Sequence, residues 1–438
     1  MEAFLYEYGN LLLRWLHVIA AISWIGESIY FVMLDNSLHP PRGEESKKRG
    51  VFGEMWAVHG GGFYHNQKYL TNPAELPNDL HWSFWKSYTT WLSGFALFAI
   101  LYLMKPAFYL VNPSSPWAWA ASMSGVQAGI LAVAFQVVGY IIYSQLCRRI
   151  SPNMEGDGLL SVAVGVMMVI CAYLTVQIFP GRAAFLITGA LMATCMSANV
   201  FFWIIPGQRR MVAALKAGKT PDPLDGKRGK QRSVHNTNFT LPVVFLMLSN
   251  HYSFTYTSPH AWIIMTLFIF AGAVIRQYFV LRHMGRNEIG YPIAGVVLLA
   301  IIGWLAAPAP AVAPATPAAV SSSAAGTSAA QTSSAATAAA SATAASSAQS
   351  GAGEAESGIT IDKVHDIMVA RCTECHSAKP TFAGIAAAPA GVALDTNAET
   401  LMHAAQIKQV VASKYMPLGN ITKMTDEERA LIASWAGQ

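Results

Sequence analysis

In the first 306 residues the hydrophobic positions do not form stripes with a polar face opposite. They run as eight near-continuous apolar blocks, at about 11–34, 86–104, 117–146, 159–179, 183–205, 237–256, 261–281 and 289–307. Crossing a bilayer takes a helix of about 20 mostly apolar residues, and these blocks are of that size. A helix that is apolar all round suits lipid or a large core, not a surface in water. The pattern predicts an all-α fold, a polytopic transmembrane helix bundle of about eight spans. The sixth block is the weakest, with Asn236, Asn238, Asn250 and His251 at its ends and Pro242 inside.

Beyond residue 306 the pattern stops. Residues 307–357 are almost entirely Ala, Ser, Thr, Pro, Gly and Gln, with no aromatic residue, Lys or Arg. Such a segment has nothing bulky to build a core and reads as a flexible linker. Residues 358–438 return to a soluble pattern. A helix is expected at about 361–370, and another after the start signal Thr425-Asp426-Glu427-Glu428. Ile432 and Trp435 of the second should pack on the first. The expected domains are therefore 1–306, 307–357 and 358–438.

Composition sharpens this. The chain is 53% hydrophobic and 12% charged, where soluble domains carry about 25% charged residues. That argues against a soluble enzyme and a nucleic-acid binder, and makes the lipid bilayer the expected environment. Loops after the first, third, fifth and seventh blocks hold nearly all the loop lysines and arginines, and the even loops only Lys105 and Arg182. The positive-inside rule then puts both termini outside the cytoplasm. The N-terminus, MEAFLYEYGN, has no basic leader and reads as no cleavable signal peptide. The expected location is a bacterial inner membrane, with the N-terminus and residues 358–438 in the periplasm. Of the five cysteines, Cys147, Cys171 and Cys195 lie in or beside apolar runs and read as packing residues.

The other two stand in Cys372-Thr373-Glu374-Cys375-His376. C-x-x-C-H is the c-type haem attachment signature: two thiols form thioethers and the adjacent His reaches the iron. A zinc site would need a second ligand pair, and this tail has no further Cys. Met416, in Lys414-Tyr415-Met416-Pro417-Leu418, is the expected sixth ligand, with Met402 and Met424 as competitors. The tail resembles a class I single-haem cytochrome c, and Met/His ligation suits an electron acceptor. Cytochrome c maturation outside the bacterial cytoplasm agrees with the topology read from charge.

Two places in the apolar region carry candidate chemistry. In Arg14-Trp15-Leu16-His17, Arg14 and His17 share a face with Ala21 and Trp24. His17, with His251 at a similar depth, is a candidate axial ligand of an intramembrane haem b, and Arg14 a propionate partner; a hydrogen bond to a neighbouring helix is the other role open to His17. The second place is Trp56-Ala57-Val58-His59-Gly60-Gly61-Gly62-Phe63-Tyr64-His65, in a loop of about 50 residues. Its glycines would let backbone approach a ligand, and His59, Tyr64 and His65 offer acid–base groups. A loop folded over the end of the bundle is the alternative.

The stretches Arg14–Trp24, His59–Tyr69, His81–Trp91, Ser233–Pro242 and Ser249–Tyr252, together with the terminal cytochrome motif, resemble the bacterial membrane-bound urate oxidases, also called urate hydroxylases. The resemblance covers the chain apart from the linker. It implies urate as substrate and 5-hydroxyisourate as product, and electrons passed through the cytochrome to a respiratory cytochrome or terminal oxidase, without hydrogen peroxide. Urate is a planar monoanion, so a cation, amide partners and aromatic faces should bind it. Phe63, Asn236, Asn238, Arg276 and Gln277 are the candidates, with His59 or His65 as base and water as the source of oxygen. A quinol or porphyrinogen dehydrogenase, or a purine transporter with a redox-sensing cytochrome, are the competing readings.

Overall fold

The computed structural model describes residues 2–70, 73, 75–307, 359–382, 388–389, 392–412 and 414–435. The expected linker lies outside the described residues except for Ala307. Helix dominates throughout. α1 (Glu2–Asn36) is followed by the short α2 (Glu44–Lys48) and a hairpin of β1 (Gly53–His59) and β2 (Gly62–Lys68). α3 (Trp85–Phe98) runs on through a π turn at Ala99–Leu103, and two single-turn helices follow, α4 (Pro106–Tyr109) and α5 (Ala118–Ala121). Next come α6 (Gly125–Ile150), α7 (Asp157–Ile178) and α8 (Gly181–Asn199). A second π turn, Val200–Ile204, joins α8 to α9 (Ile205–Lys216). α10 (Pro223–Leu248) ends in a 3₁₀ turn, Ser249–His251, and α11 (Ser253–Tyr256). α12 (Ala261–His283) and α13 (Gly290–Ala306) complete the bundle.

Helix occupies each of the eight apolar blocks. Among the described residues, five helices are long and apolar enough to cross a membrane: Phe4–Asn36, Gly125–Ile150, Asp157–Ile178, Gly181–Lys216 and Ala261–His283. Their outward positions, among them Leu11, Trp15, Ile19, Ile130, Val137 and Val166, are exposed. Inward positions such as Tyr143, Phe185, Leu191, Met192 and Met265 are fully buried. Small residues set the closest approaches: a Cβ on Gly272 would lie 2.7 Å from Pro242 Cδ, and one on Gly139 2.4 Å from Leu191 Cδ1. That is the packing expected where lipid gives no hydrophobic drive between helices.

Two expectations are corrected. The third block was expected to be helical from about 117, but α6 starts at Gly125. Ser124 caps it, exchanging bonds with Gln127 in a capping box, and Gly125 sits against Ala107 of α4. The all-α reading is corrected by the hairpin. Gly60 and Gly61 both adopt positive φ, 61° and 81°, as a tight hairpin turn demands. The glycines that read as a ligand cradle turn a chain whose strands pair in full register from Gly53↔Lys68 to His59↔Gly62.

Residues 359–435 form a second, smaller core. α14 (Ile361–Arg371), α15 (Asn397–Met402), α16 (Ala404–Ala412), a 3₁₀ turn at Leu418–Asn420 and α17 (Asp426–Ser434) surround it. Val364, Ile367 and Met368 of α14 share this core with Ile407, Val411, Met424, Ile432 and Trp435. Arg371 clamps α17 through Glu428, with Nη2–Oε1 at 3.0 Å. Among the described residues this module meets the bundle where α4 packs on the turn Leu418–Asn420 and through two ring pairs: Phe382 with Phe108, ring centroids 5.6 Å apart, and Tyr415 with Tyr256 at 6.1 Å.

Candidate functional site

A cavity of about 540 Å³ opens between α1, α3, α8 and α10, a size that suits a small organic ligand. Its walls are largely apolar and aromatic, with Trp91, Phe95 and Phe98 from α3 and Trp24 from α1. Polar groups gather in two places. Deep in the wall, Trp91 Nε1 donates to Thr194 Oγ1 at 3.1 Å, and Thr194 donates to Gln136 Oε1 at 3.2 Å. Arg14, Tyr102, Arg182, Asn250 and His251 also line the cavity, and Arg182 follows Gly181, which packs on Tyr256, the residue that meets Tyr415 of the C-terminal module. Arg182 Nε donates to Asn250 Oδ1 at 3.3 Å. Tyr102 belongs to the π turn after α3, a local widening often found at functional positions.

His17 lines the same cavity. Its Nδ1 lies 3.0 Å from the Thr90 carbonyl and 3.1 Å from Ser93 Oγ, whose own hydroxyl donates to Thr89 O at 2.6 Å. A carbonyl only accepts, so Nδ1 carries the proton and Nε2 keeps its lone pair. The ring fits because residue 94 is glycine: a Cβ there would lie 2.8 Å from His17 Cε1. Arg14, His17 and His251, expected together around an intramembrane group, are thus brought to one cavity. A free Nε2 on a held ring has the chemistry of an iron ligand or a base.

The other sequence-chosen residues are elsewhere. His59, Phe63 and Tyr64 ride on the hairpin, exposed to solvent and outside the cavity. His65 is engaged, its Nε2 3.0 Å from Glu54 Oε2 and its ring stacked on Trp56 at 4.3 Å. Glu54 also accepts from the Arg42 backbone N–H at 2.9 Å. That bond and His65 hold the Glu54 carboxyl below its ordinary value, against the opposing effect of burial. Asn236 is buried, accepting from Asn199 Nδ2 at 2.9 Å and donating to Met196 O at 3.1 Å. With Tyr143, His235 and Arg232 it belongs to a packed polar cluster: Tyr143 Oη lies 2.8 Å from His235 Nδ1, and Arg232 stacks over Tyr143 at 5.4 Å. Arg276 is 5% exposed, and among the described residues its Nε and Nη2 have no hydrogen-bond partner. Neither it nor Asn238 or Gln277, both half-buried, lines the cavity.

Arg182, Asn250, Tyr102, Trp91, Gln136 and Thr194 were not selected from sequence. For Arg182 a signal existed. It is one of two cations on the side of the bundle where the loops are otherwise free of them, so its charge had no topological reason to be there.

In the C-terminal module, Cys372 and Cys375 are unbridged. Burial, with Cys375 beside it, pushes the Cys372 thiol up to about 12. His376 Nδ1 donates to the Val392 carbonyl at 3.0 Å, and among the described residues Nε2 has no hydrogen-bond partner. Met416 is anchored through its backbone: its N–H donates to Val410 O at 3.0 Å, and its carbonyl accepts from Arg429 Nη1 at 2.7 Å. Met424 is in the core and Met402 is 78% exposed. The donor set therefore fits a haem bound through Cys372, Cys375, His376 and Met416. Among the described residues, no group of three or more His, Cys, Asp and Glu could hold a bare metal ion.

No curated protein and no solved structure matches the chain. Residues 3–307, the whole helical bundle with its cavity and hairpin, match the family described as urate oxidase N-terminal. By that match over most of its length, the chain belongs to the urate oxidase N-terminal family.

Proposed function

We propose that this protein oxidises urate to 5-hydroxyisourate inside the cavity, within a bacterial cytoplasmic membrane, and yields the electrons to a c-type haem on residues 358–438. One observation carries the reading: the family match covers the bundle, and its cavity ends in Arg182 and Asn250 on the side where the Cys372–His376 module sits. Urate and water give 5-hydroxyisourate, two protons and two electrons. The inserted oxygen comes from water, and no hydrogen peroxide forms.

Arg182 supplies the cation for the urate anion, and Asn250 beside it the amide. Such charge-assisted contacts are the strong, directional ones. Trp91, Phe95 and Phe98 offer faces for the purine. His17 Nε2 is the unprotonated nitrogen facing the cavity and takes a proton from urate or the adding water; His251 is a second base at the rim. This assignment replaces His59 and His65, which the fold keeps outside. Cys372 and Cys375 would hold the haem covalently, with His376 and Met416 on its iron; when bound it supplies a one-electron acceptor. Eight spans, with both termini in the periplasm, fit the eight helical blocks and the loop charges. A respiratory cytochrome or terminal oxidase would take the electrons onward.

A second reading of the cavity rests on His17 itself. Its pinned Nδ1 and free Nε2, with His251 and Arg14 on the same cavity, would also suit a haem b. The test is an anaerobic visible spectrum of the oxidised protein before and after urate. Reduction of c-type bands is expected; a second, b-type set would establish the internal haem. If ascorbate reduces the bands and urate does not, the urate reading is wrong and a quinol or porphyrinogen donor takes its place.

A further inference from the structure

We infer that electrons leave the cavity along a fixed aromatic chain, Phe98–Tyr102–Tyr109–Phe108–Phe382, and that the C-terminal module works docked on its own bundle. The electron source rests on the urate reading above; the docking does not. Phe98 and Tyr102 line the cavity and stack at 5.7 Å. Tyr102 meets Tyr109 at 5.5 Å, Tyr109 meets Phe108 edge-on at 4.6 Å, and Phe108 meets Phe382 at 5.6 Å. Every step is within the range of direct ring contact. Phe382 is tied to the cysteine motif, its backbone N–H donating to Glu374 O at 2.9 Å.

A second contact fixes the module's orientation. Tyr415, adjacent to Met416, meets Tyr256. Arg182 stands between these rings: it donates to Asn250 Oδ1, which also accepts from Tyr102 Oη at 3.5 Å, and its neighbour Gly181 packs on the Tyr256 backbone. The cavity's cation therefore sits at the junction of both contacts. The two loops that would flank the haem, one after His376 and one before Pro417, each place an aromatic ring on the bundle. One-electron transfer weakens steeply with gaps, and the ring contacts run unbroken from the cavity wall to Phe382, one backbone hydrogen bond from the motif. The two electrons pass singly, and between them an external acceptor of the cytochrome class takes the first.

The test uses the full-length protein in lipid nanodiscs. With the photo-cross-linker p-benzoylphenylalanine at position 382 or 415, illumination should join 382 to residues 105–110 and 415 to residues 253–257, with or without urate. Cross-links only elsewhere, or only between molecules, would overturn the docking. The relay is read separately in Phe108→Leu and Tyr109→Leu, which roughly keep volume. Urate-driven reduction of the c bands should slow about tenfold or more, while haem content, urate binding and dithionite reduction stay unchanged. Wild-type rates in both variants would overturn the relay. If urate fails to reduce the wild type, the urate reading falls and takes the relay's electron source with it, while the cross-links still decide docking.

Discussion

The hairpin β1–β2 and the cavity beside α1 draw on the same residue types. The hairpin has His59, His65, Tyr64, Trp56 and Phe63; the cavity has His17, His251, Tyr102, Trp91 and Phe98. They differ in what surrounds those groups. On the hairpin, His65 is used by Glu54 and Trp56, while Phe63 is 78% exposed and Trp56 65%. In the cavity, the aromatic walls and the polar groups border one shared space. Chemistry needs both reactive groups and a volume for substrate, and only the second place has both.

The sharpest test of this contrast is Arg182→Met. Removing the cation from the cavity's polar end takes away a charge-assisted bond, worth about 1.5–3 kcal/mol. Urate-driven kcat/KM should fall about 10–100-fold, with haem content unchanged. Stopped-flow reduction of the c bands measures it, and wild-type kinetics would move the anion site elsewhere.

Gly94→Ala probes the wall. The new Cβ would fall 2.8 Å from His17 Cε1, and the ring is pinned by Thr90 and Ser93. Either those bonds break or α1 shifts from α3, at about 1–3 kcal/mol. Urate-driven reduction should drop about tenfold and Tm should fall by several degrees. An unchanged rate would show that the position of His17 does not matter.

How much of this was legible before the fold can be argued from particular residues. The eight apolar blocks were, because helices apolar all round need long unbroken runs: each block holds helix, and among the described residues five helices are long and apolar enough to cross a membrane. The start of α6 was not, because Ser124 and the contact of Gly125 with Ala107 outweigh the apolar residues 117–123. The hairpin was missed because Gly-Gly-Gly reads equally as a cradle and as a turn, and only the register of flanking strands decides. His17, Arg14 and His251 drew notice because polar groups in apolar helices are expensive and conspicuous, and all three line the cavity. Arg182 and Asn250 were not, because one looked like a loop charge and the other like a helix end. Asn236 and Arg276 show the converse case: polar residues that are buried but do not line the cavity.

The hairpin's anchor should respond to acid. Glu54 sits below its ordinary carboxyl value of 4.5 because the Arg42 N–H, then His65, favour its charged form against burial. A depressed carboxyl adds stability above that value and loses it as pH falls through the lowered one. Amide exchange in residues 53–68, read by mass spectrometry, should therefore quicken locally below the ordinary glutamate range. Glu54→Gln should show that faster exchange already at neutral pH. Equal protection in the variant would mean the carboxylate does not hold the strands.

The smallest effects are expected at the hairpin tip, and they are the most direct way to break the comparison. His59→Ala, Phe63→Ser and Tyr64→Phe remove the groups that the sequence alone nominated for catalysis and binding. All three side chains are exposed, and none lines the cavity. Substitutions of that kind change stability by about 0.5 kcal/mol or less. Each should leave urate-driven reduction within about twofold of wild type, less than a single hydrogen bond's worth. A tenfold loss in His59→Ala, with haem content and Tm intact, would return the proton acceptor to the hairpin. The cavity would then keep the purine's electron path but not its base, because His59 lies outside its walls. Measured beside Arg182→Met in one set of stopped-flow traces, the three variants tell a site made of exposed reactive side chains from one made of enclosed space.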